Sequence, residues 1–167
     1  DENHPLQAKN AYGASKLAGE AYCRVFRNAG AMQLFVFRLA NVYGPRDTER
    51  VIPIFRDKLR SGKPLTIYGG SQVIDFISVE YIVEILRRAL RTDVLPTFPL
   101  NVGSGKGTNL YQLVDRLEEL LHRKAEIKLE SERSVEVKSF IADISALAEK
   151  TGIRPPDDPL YFLKEMI

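Results

Sequence analysis

In the stretch "AYGASKLAGEAY", which begins at Ala11, Tyr12 and Lys16 stand four residues apart. On a helix that spacing stacks the two side chains on one face, so an ammonium lies beside a phenol. A free tyrosine, with a pKa near 10, is a poor base at neutral pH. A fixed cation alongside favours the phenolate, and a second positive charge on a bound cofactor adds to the effect. Such a pair has the chemistry to take a proton from a hydroxyl while hydride leaves the carbon that bears it. On pattern alone the same spacing also suits a solvated helix face, so its neighbours have to decide.

Other reactive residue types give weaker patterns. Ser15 lacks a G-x-S-x-G elbow and a nearby histidine, which leaves no support for a serine hydrolase. "GSGKGT", Gly103 to Thr108, has Leu100 where a P-loop needs its first glycine, and Gly107 where it needs Ser or Thr. It reads as a strand-to-helix loop. Cys23 is the lone cysteine, and His4 and His122 are far apart, so no disulfide and no metal cluster is expected. The aromatic residues are spaced as core and not as stacking platforms for bases.

The elements that must hold Tyr12 and Lys16 follow from periodicity. A first helix is expected from Asn10 or Ala11 to Asn28, stopped by Gly30, with Ala14, Leu17, Ala18, Ala21, Tyr22 and Val25 as its apolar stripe. "QLFVFRL", Gln33 to Leu39, is a near-continuous apolar run, as in a strand buried on both sides of a parallel sheet. A short helix from Val51 to Arg60 ends before Gly62. "PLTIYGG" and "VIDFISV" read as two strands separated by a glycine turn. Ser78 caps a helix with Val79, Ile82, Val83, Leu86, Ala89 and Leu90 at helical spacing. "FPLNVGSG" is a strand running into a glycine loop, and Asn109 with Gln112 fits a capping pair for a leucine-rich helix. A strand near Glu126 to Leu129, a helix near Ile144 to Thr151 and a helix after "RPPDDP" complete an α/β pattern.

The 167 residues suffice for about one domain with a real core. Apolar residues make up 44% and charged residues 28%, and 24 basic against 22 acidic residues leave a net charge of +2 with no basic block. Neither nucleic acid nor a membrane surface is indicated as a partner. No apolar run approaches a membrane span and no signal-peptide pattern opens the chain, so the expectation is a cytoplasmic protein.

The ordered motifs carry a resemblance. "YGASKLAGE", "RLANVYGPR", "VIPIF", "GKPLTIYGGSQVIDFISVEYI", "NVGSGKGTNLYQLV" and "SVEVKSFIADISALAEKTGIRP" together resemble the extended short-chain dehydrogenase/reductases, the family of NAD-dependent nucleotide-sugar epimerases and dehydratases, nearest to the UDP-glucose 4-epimerases. The resemblance implies roles for particular residues. Tyr12 would be the catalytic acid/base, and Lys16 would lower its pKa and hydrogen-bond the nicotinamide ribose of NAD. Leu39 and Ala40 would lie beside the nicotinamide. Asn41 would hydrogen-bond the diphosphate of a UDP-sugar, and Arg50, Val51, Thr66 and Tyr68 would surround its base and ribose. Unaided, Thr66 and Tyr68 read as ordinary strand residues and Asn41 as a loop organiser. Arg133 and Glu136, in "RSVE", resemble loosely an Arg-Pro-Gly-Asp element that reaches diphosphate and ribose.

Two departures matter. Many relatives have Arg-Asp-Phe after the glycine turn, with the arginine on the diphosphate; this chain has Ile74-Asp75-Phe76. Phosphate binding would then lean on Arg133, Arg50 or Arg46, and Asp75 reads as structural. Nothing ahead of Tyr12 fits the glycine-rich turn that receives a dinucleotide pyrophosphate. The resemblance therefore implies the C-terminal half of an epimerase or dehydratase subunit. Residues 1–50 would be the last part of a Rossmann-like domain and 51–167 mainly a substrate-binding lobe, with a strand and helix near 78–105 returning to the Rossmann sheet. The isolated chain is expected to be inactive, with an open strand edge and apolar surface; the intact protein is expected to be a homodimer. A 4,6-dehydratase, or a non-catalytic module that binds a nucleotide sugar or a partner, are the alternatives.

Overall fold

A computed structural model of the chain describes residues 1–30, 34–91, 99–132 and 137–167. Gln33, Phe98, Arg133 and Glu136 lie outside the described residues.

The chain opens with helix α1, Ala11–Asn28, whose first turn is capped by the Asn10 carboxamide accepting from the Gly13 N–H at 2.8 Å. Two short strands follow, β1 (Phe37–Leu39) and β2 (Asn41–Tyr43), then helix α2 (Val51–Arg60). Strand β3 (Leu65–Tyr68) leads through Gly69 and Gly70, at φ 68° and 76°, into β4 (Val73–Ile74) and β5 (Phe76–Ser78). The positive φ at both turn residues explains why glycine stands there. Helix α3 (Val79–Ala89), β6 (Leu100–Val102), β7 (Thr108–Asn109) and helix α4 (Leu110–Leu121) come next. Strands β8 (Ile127–Glu130) and β9 (Ser139–Phe140), helix α5 (Ser145–Thr151) and a 3-10 turn at Tyr161–Met166 finish the chain.

The architecture is α/β with mostly parallel pairing. β1 pairs with β6, β2 with β5 and β3 with β8, all parallel, while β4 lies between antiparallel β7 and parallel β9. The α/β expectation holds, and β6 pairs in parallel with β1.

Two apolar clusters form the core. The larger joins α2, β3 and α4 through Phe55, Leu59, Leu65, Ile67, Leu113 and Leu117, and the 3-10 turn through Leu160, Leu163 and Met166. These last three sit at i, i+3 and i+6, which a helix of three residues per turn places on one face. The sequence pattern anticipated a helix here but not its tighter winding. The second cluster packs Tyr81, Ile82 and Ile85 of α3 against Ile77, Leu100, Val102 and Leu147.

Helix faces differ most from expectation. None of α1 is buried, and Tyr22 and Val25, at the centre of its apolar stripe, are 70% and 66% exposed. The helix docks instead through Glu20, which takes two bonds from Arg38 of β1, at 3.0 Å and 2.7 Å. On α3 the buried face is Tyr81, Ile82, Ile85 and Ala89; Val79, Val83, Leu86 and Leu90 of the anticipated stripe face outward. Both helices carry apolar residues on two sides, and only the neighbours present decide which side is covered. β1 is also shorter than the apolar run and only half-buried, with Leu39 exposed, because its one hydrogen-bonded neighbour among the described residues is β6. The anticipated strand "VIDFISV" is interrupted at Asp75, which separates β4 from β5.

Candidate functional site

The Tyr12–Lys16 pair occupies the first turns of α1. Lys16 Nζ lies 5.1 Å from the centroid of the Tyr12 ring, within reach of its face. Ser15 Oγ donates to the Tyr12 carbonyl at 2.8 Å, and Tyr12 itself is 71% exposed. The pair therefore stands on an open surface, held to the sheet by the Glu20–Arg38 clamp two turns along. Arg38 also donates to the Glu2 carbonyl at 2.7 Å. That arginine lies one residue before Leu39, so the clamp ties the phenol-bearing helix directly to the strand end at Leu39 and Ala40. The Glu20 carboxyl is held below its ordinary range by the hydrogen bonds from Arg38, against a desolvation penalty.

Past that strand end the chain enters β2, and a cavity of about 620 Å³ opens beside it. Asn41 is part of its lining. Val51, Ile54, Phe55 and Lys58 of α2 line one wall, at i, i+3, i+4 and i+7, a single helix face. Thr66 and Tyr68 of β3 line another; they alternate with Leu65 and Ile67, which point the other way into the core and are fully buried. Ile74, Leu110 and Phe140 close much of the remainder with apolar surface.

Asp75 holds this region together. Its carboxylate is fully buried and accepts from Ser104 N–H (2.7 Å), Ser104 Oγ–H (2.6 Å), Gly105 N–H (3.2 Å) and Ala142 N–H (3.0 Å). Its carbonyl accepts from the Asn41 N–H at 2.9 Å. A side chain at Gly103 would place Cβ 2.5 Å from Asp75 Oδ2, so the glycine is required for the loop to wrap the carboxylate. Asp75 is structural, as its sequence setting suggested.

The structure thus brings Asn41, Val51, Thr66 and Tyr68 into one cavity. Arg50 lies in a neighbouring hollow with Val42, Tyr43 and Asp47, where its guanidinium donates to the Val42 carbonyl. Tyr43, in the lining of that hollow, donates to the Pro159 carbonyl at 2.8 Å, and burial pushes its phenol well above the ordinary range, so it stays neutral. Tyr12, Lys16, Leu39 and Ala40 are not part of the cavity lining; they belong to α1 and to the strand end before it. Arg133 and Glu136 are outside the described residues. Sequence reasoning passed over Ile54, Phe55 and Lys58, although the i+3, i+4 and i+7 spacing from Val51 was a usable signal. Among the described residues no group of three His, Cys, Asp or Glu side chains is placed to hold a metal, and no helix is long and apolar enough to cross a membrane.

Residues 1–103, which run from the Tyr12 helix through β6, match the NAD dependent epimerase/dehydratase family. The chain belongs to that family. Among epimerase/dehydratase relatives, a putative UDP-glucose 4-epimerase of Methanocaldococcus jannaschii is 30% identical over 172 residues, covering 100% of this chain and 55% of the relative. A crystal structure of UDP-glucose 4-epimerase with UDP-glucose, from Thermotoga maritima, superimposes with a TM-score of 0.85 at 30% identity, over 93% of this chain and 51% of that one. A mutant of the Bacillus cereus UDP-glucuronic acid 4-epimerase, in complex with UDP-4-deoxy-4-fluoro-glucuronic acid and NAD, gives a TM-score of 0.91 over 99% of this chain and 54% of that one. At 23% identity it speaks for the fold. The chain spans about half the length of the curated relatives it matches.

Proposed function

We propose that this chain is the substrate-binding portion of an NAD-dependent UDP-sugar 4-epimerase, with Tyr12 and Lys16 as its acid/base pair. The observation that carries the reading is the single cavity that gathers Asn41, Val51, Thr66 and Tyr68, next to the strand end clamped to the Tyr12 helix. Residues 1–50 then act as the last part of a dinucleotide-binding domain, and 51–167 mainly as the substrate lobe.

The residues present fit the nicotinamide end of NAD. A phenol and an ammonium stand together on an open helix face, and Leu39, 48% exposed at the C-terminal end of a parallel strand, offers apolar surface. The pyrophosphate end has no glycine-rich turn to receive it in this chain. When bound, NAD supplies the acceptor and later the donor of a hydride. Tyr12 Oη accepts the proton of the sugar 4-hydroxyl and returns one to the 4-oxygen after the sugar has turned over. Lys16, beside the ring, places its positive charge by the phenolate that accepts this proton. Asn41 donates its carboxamide N–H to the diphosphate, while Thr66 and Tyr68 border the base and ribose.

The intact protein carrying this chain, with Tyr12→Phe, is expected to lose about 10²- to 10⁴-fold in epimerase turnover and to keep its UDP affinity within twofold. Retained turnover overturns the assignment. The 167-residue chain alone is expected to show no turnover, since it carries no glycine-rich turn to receive the pyrophosphate of the cofactor. The exposed Tyr22, Val25 and Phe26 on α1 support a homodimer for the intact protein.

A further inference from the structure

We propose that Lys58 is a specificity-determining residue of the cavity, donating to the C4 carbonyl oxygen of a pyrimidine base and so selecting uracil or thymine over cytosine. The inference rests on the nucleotide-sugar reading above and adds a residue that the family resemblance did not assign.

The position of Lys58 follows from the backbone. Val51 and Lys58 lie on one face of α2 seven residues apart, a rise of roughly 10 Å. The Val51 end adjoins Asn41 and Ile74, through the Arg50 bond to Val42 and the Asn41–Asp75 pairing. At the other end, the Lys63 N–H donates to the Lys58 carbonyl at 2.9 Å, so the chain leaves the helix at the level of Lys58 and enters β3 within two residues. Lys58 and Thr66 therefore share the end of the cavity away from Asn41.

Charge singles Lys58 out. Among the described lining residues it is the one charged side chain; Ile74 stands where a diphosphate-binding arginine would have put a cation at the Asn41 end. The lining holds no carboxylate, and no ion pair of Lys58 is found among the described residues. Lys58 is half-buried, with its stem against the apolar wall of Ile54 and Phe55.

Base chemistry then fixes the ligand atom. In a pyrimidine nucleotide N1 carries the ribose, and C4 is the ring position directly across from N1. With the diphosphate at Asn41 and the base at Thr66, the C4 substituent reaches farthest toward Lys58. An ammonium is a donor with no acceptor capacity. It pairs with the O4 of uracil or thymine, whereas the 4-amino group of cytosine sets donor against donor at that position.

The test is calorimetric titration of UDP and CDP, which differ at C4, into the intact protein carrying this chain and into its Lys58→Met, Lys58→Gln and Lys58→Arg variants. Wild type is expected to favour UDP by tenfold or more. Lys58→Met and Lys58→Gln should weaken UDP about tenfold and bring the UDP/CDP ratio close to one, and Lys58→Arg should retain the preference. Two non-ionic replacements guard against one failing to fold, and unchanged thermal midpoints confirm intact protein. An equal loss for both nucleotides would assign the cation to phosphate, and no change would reduce Lys58 to a packing stem; either overturns the proposal while leaving the nucleotide-sugar reading in place. If wild type binds neither nucleotide, the reading and the proposal fall together.

Discussion

Replacing Arg38 by Met should loosen α1, and with it Tyr12 and Lys16, while the rest of the fold holds. The helix has no buried residue, so hydrophobic contact gives it little attachment. Its anchor is the two-pronged bond from Arg38 to Glu20, with side chains 19% and 9% exposed, and the further bond from Arg38 to the Glu2 carbonyl. Hydrogen bonds to charged groups contribute about 1.5–3 kcal/mol each, and removing one partner of a fully buried pair costs about 3–5 kcal/mol. Here the pair is partly open, and Glu20 keeps its i+4 contact with Arg24 at 2.8 Å, itself 59% exposed. A cost of about 2–3 kcal/mol is therefore expected. That corresponds to roughly 30- to 140-fold faster amide exchange across α1 in the variant, with α4 unchanged. Exchange within twofold of wild type would show that the clamp does not hold the helix, and the reasoning would fail. The pH dependence has a definite sign. Glu20 titrates below its ordinary 4.5 in the folded chain. Its contribution is therefore complete above that value and is lost as pH falls through the lower folded value. Glu20→Gln should flatten this acid-side loss of α1 protection and lower the protection near neutrality, where the charged pair contributes fully.

Two further substitutions test the scaffold. Asp75→Ala removes the acceptor shared by Ser104, Gly105 and Ala142 and leaves their buried and part-buried donors unpaired; a loss of about 3–5 kcal/mol, read from the urea midpoint, is expected. Asn109→Ala deletes one half of the reciprocal cap, in which Asn109 N–H donates to Gln112 Oε1 (2.8 Å) and Gln112 N–H to Asn109 Oδ1 (2.9 Å). It should cost about 1 kcal/mol by the same measurement.

Some of these features were legible before any coordinates. The Asn109–Gln112 box and the Ser78 cap are local hydrogen bonds spanning three residues, so residue types at fixed spacing are enough to read them. Gly30 and Gly62, at φ 68° and 65°, ended their helices where the pattern placed them, for the same local reason. The family followed from motifs strung along the chain, and the position of Ile74 in the cavity wall bears on the same substitution that stood out in the sequence. Other features were hidden. Tyr22 and Val25 on α1, and Val83 and Leu86 on α3, satisfy helical spacing as well as the residues that are buried, because each helix is apolar on two sides. Nothing in its residue type singles out Lys58; the fold places it with Thr66 in the lining of one cavity.

By itself the sequence determined the order of the helices and longer strands, several caps and turns, the family and the choice of Tyr12 and Lys16 as the proposed acid/base pair, since all of these depend on residue type and short spacing along one chain. Tertiary structure alone decided which helix faces are covered, that Glu20 and Arg38 form the anchor of α1, and that Asp75 gathers donors from segments 29 to 67 residues away. It also decided that Asn41, α2 and β3 enclose one cavity. Burial and hydrogen-bond satisfaction are properties of neighbours distant in the chain, and periodicity carries no record of which neighbours those are.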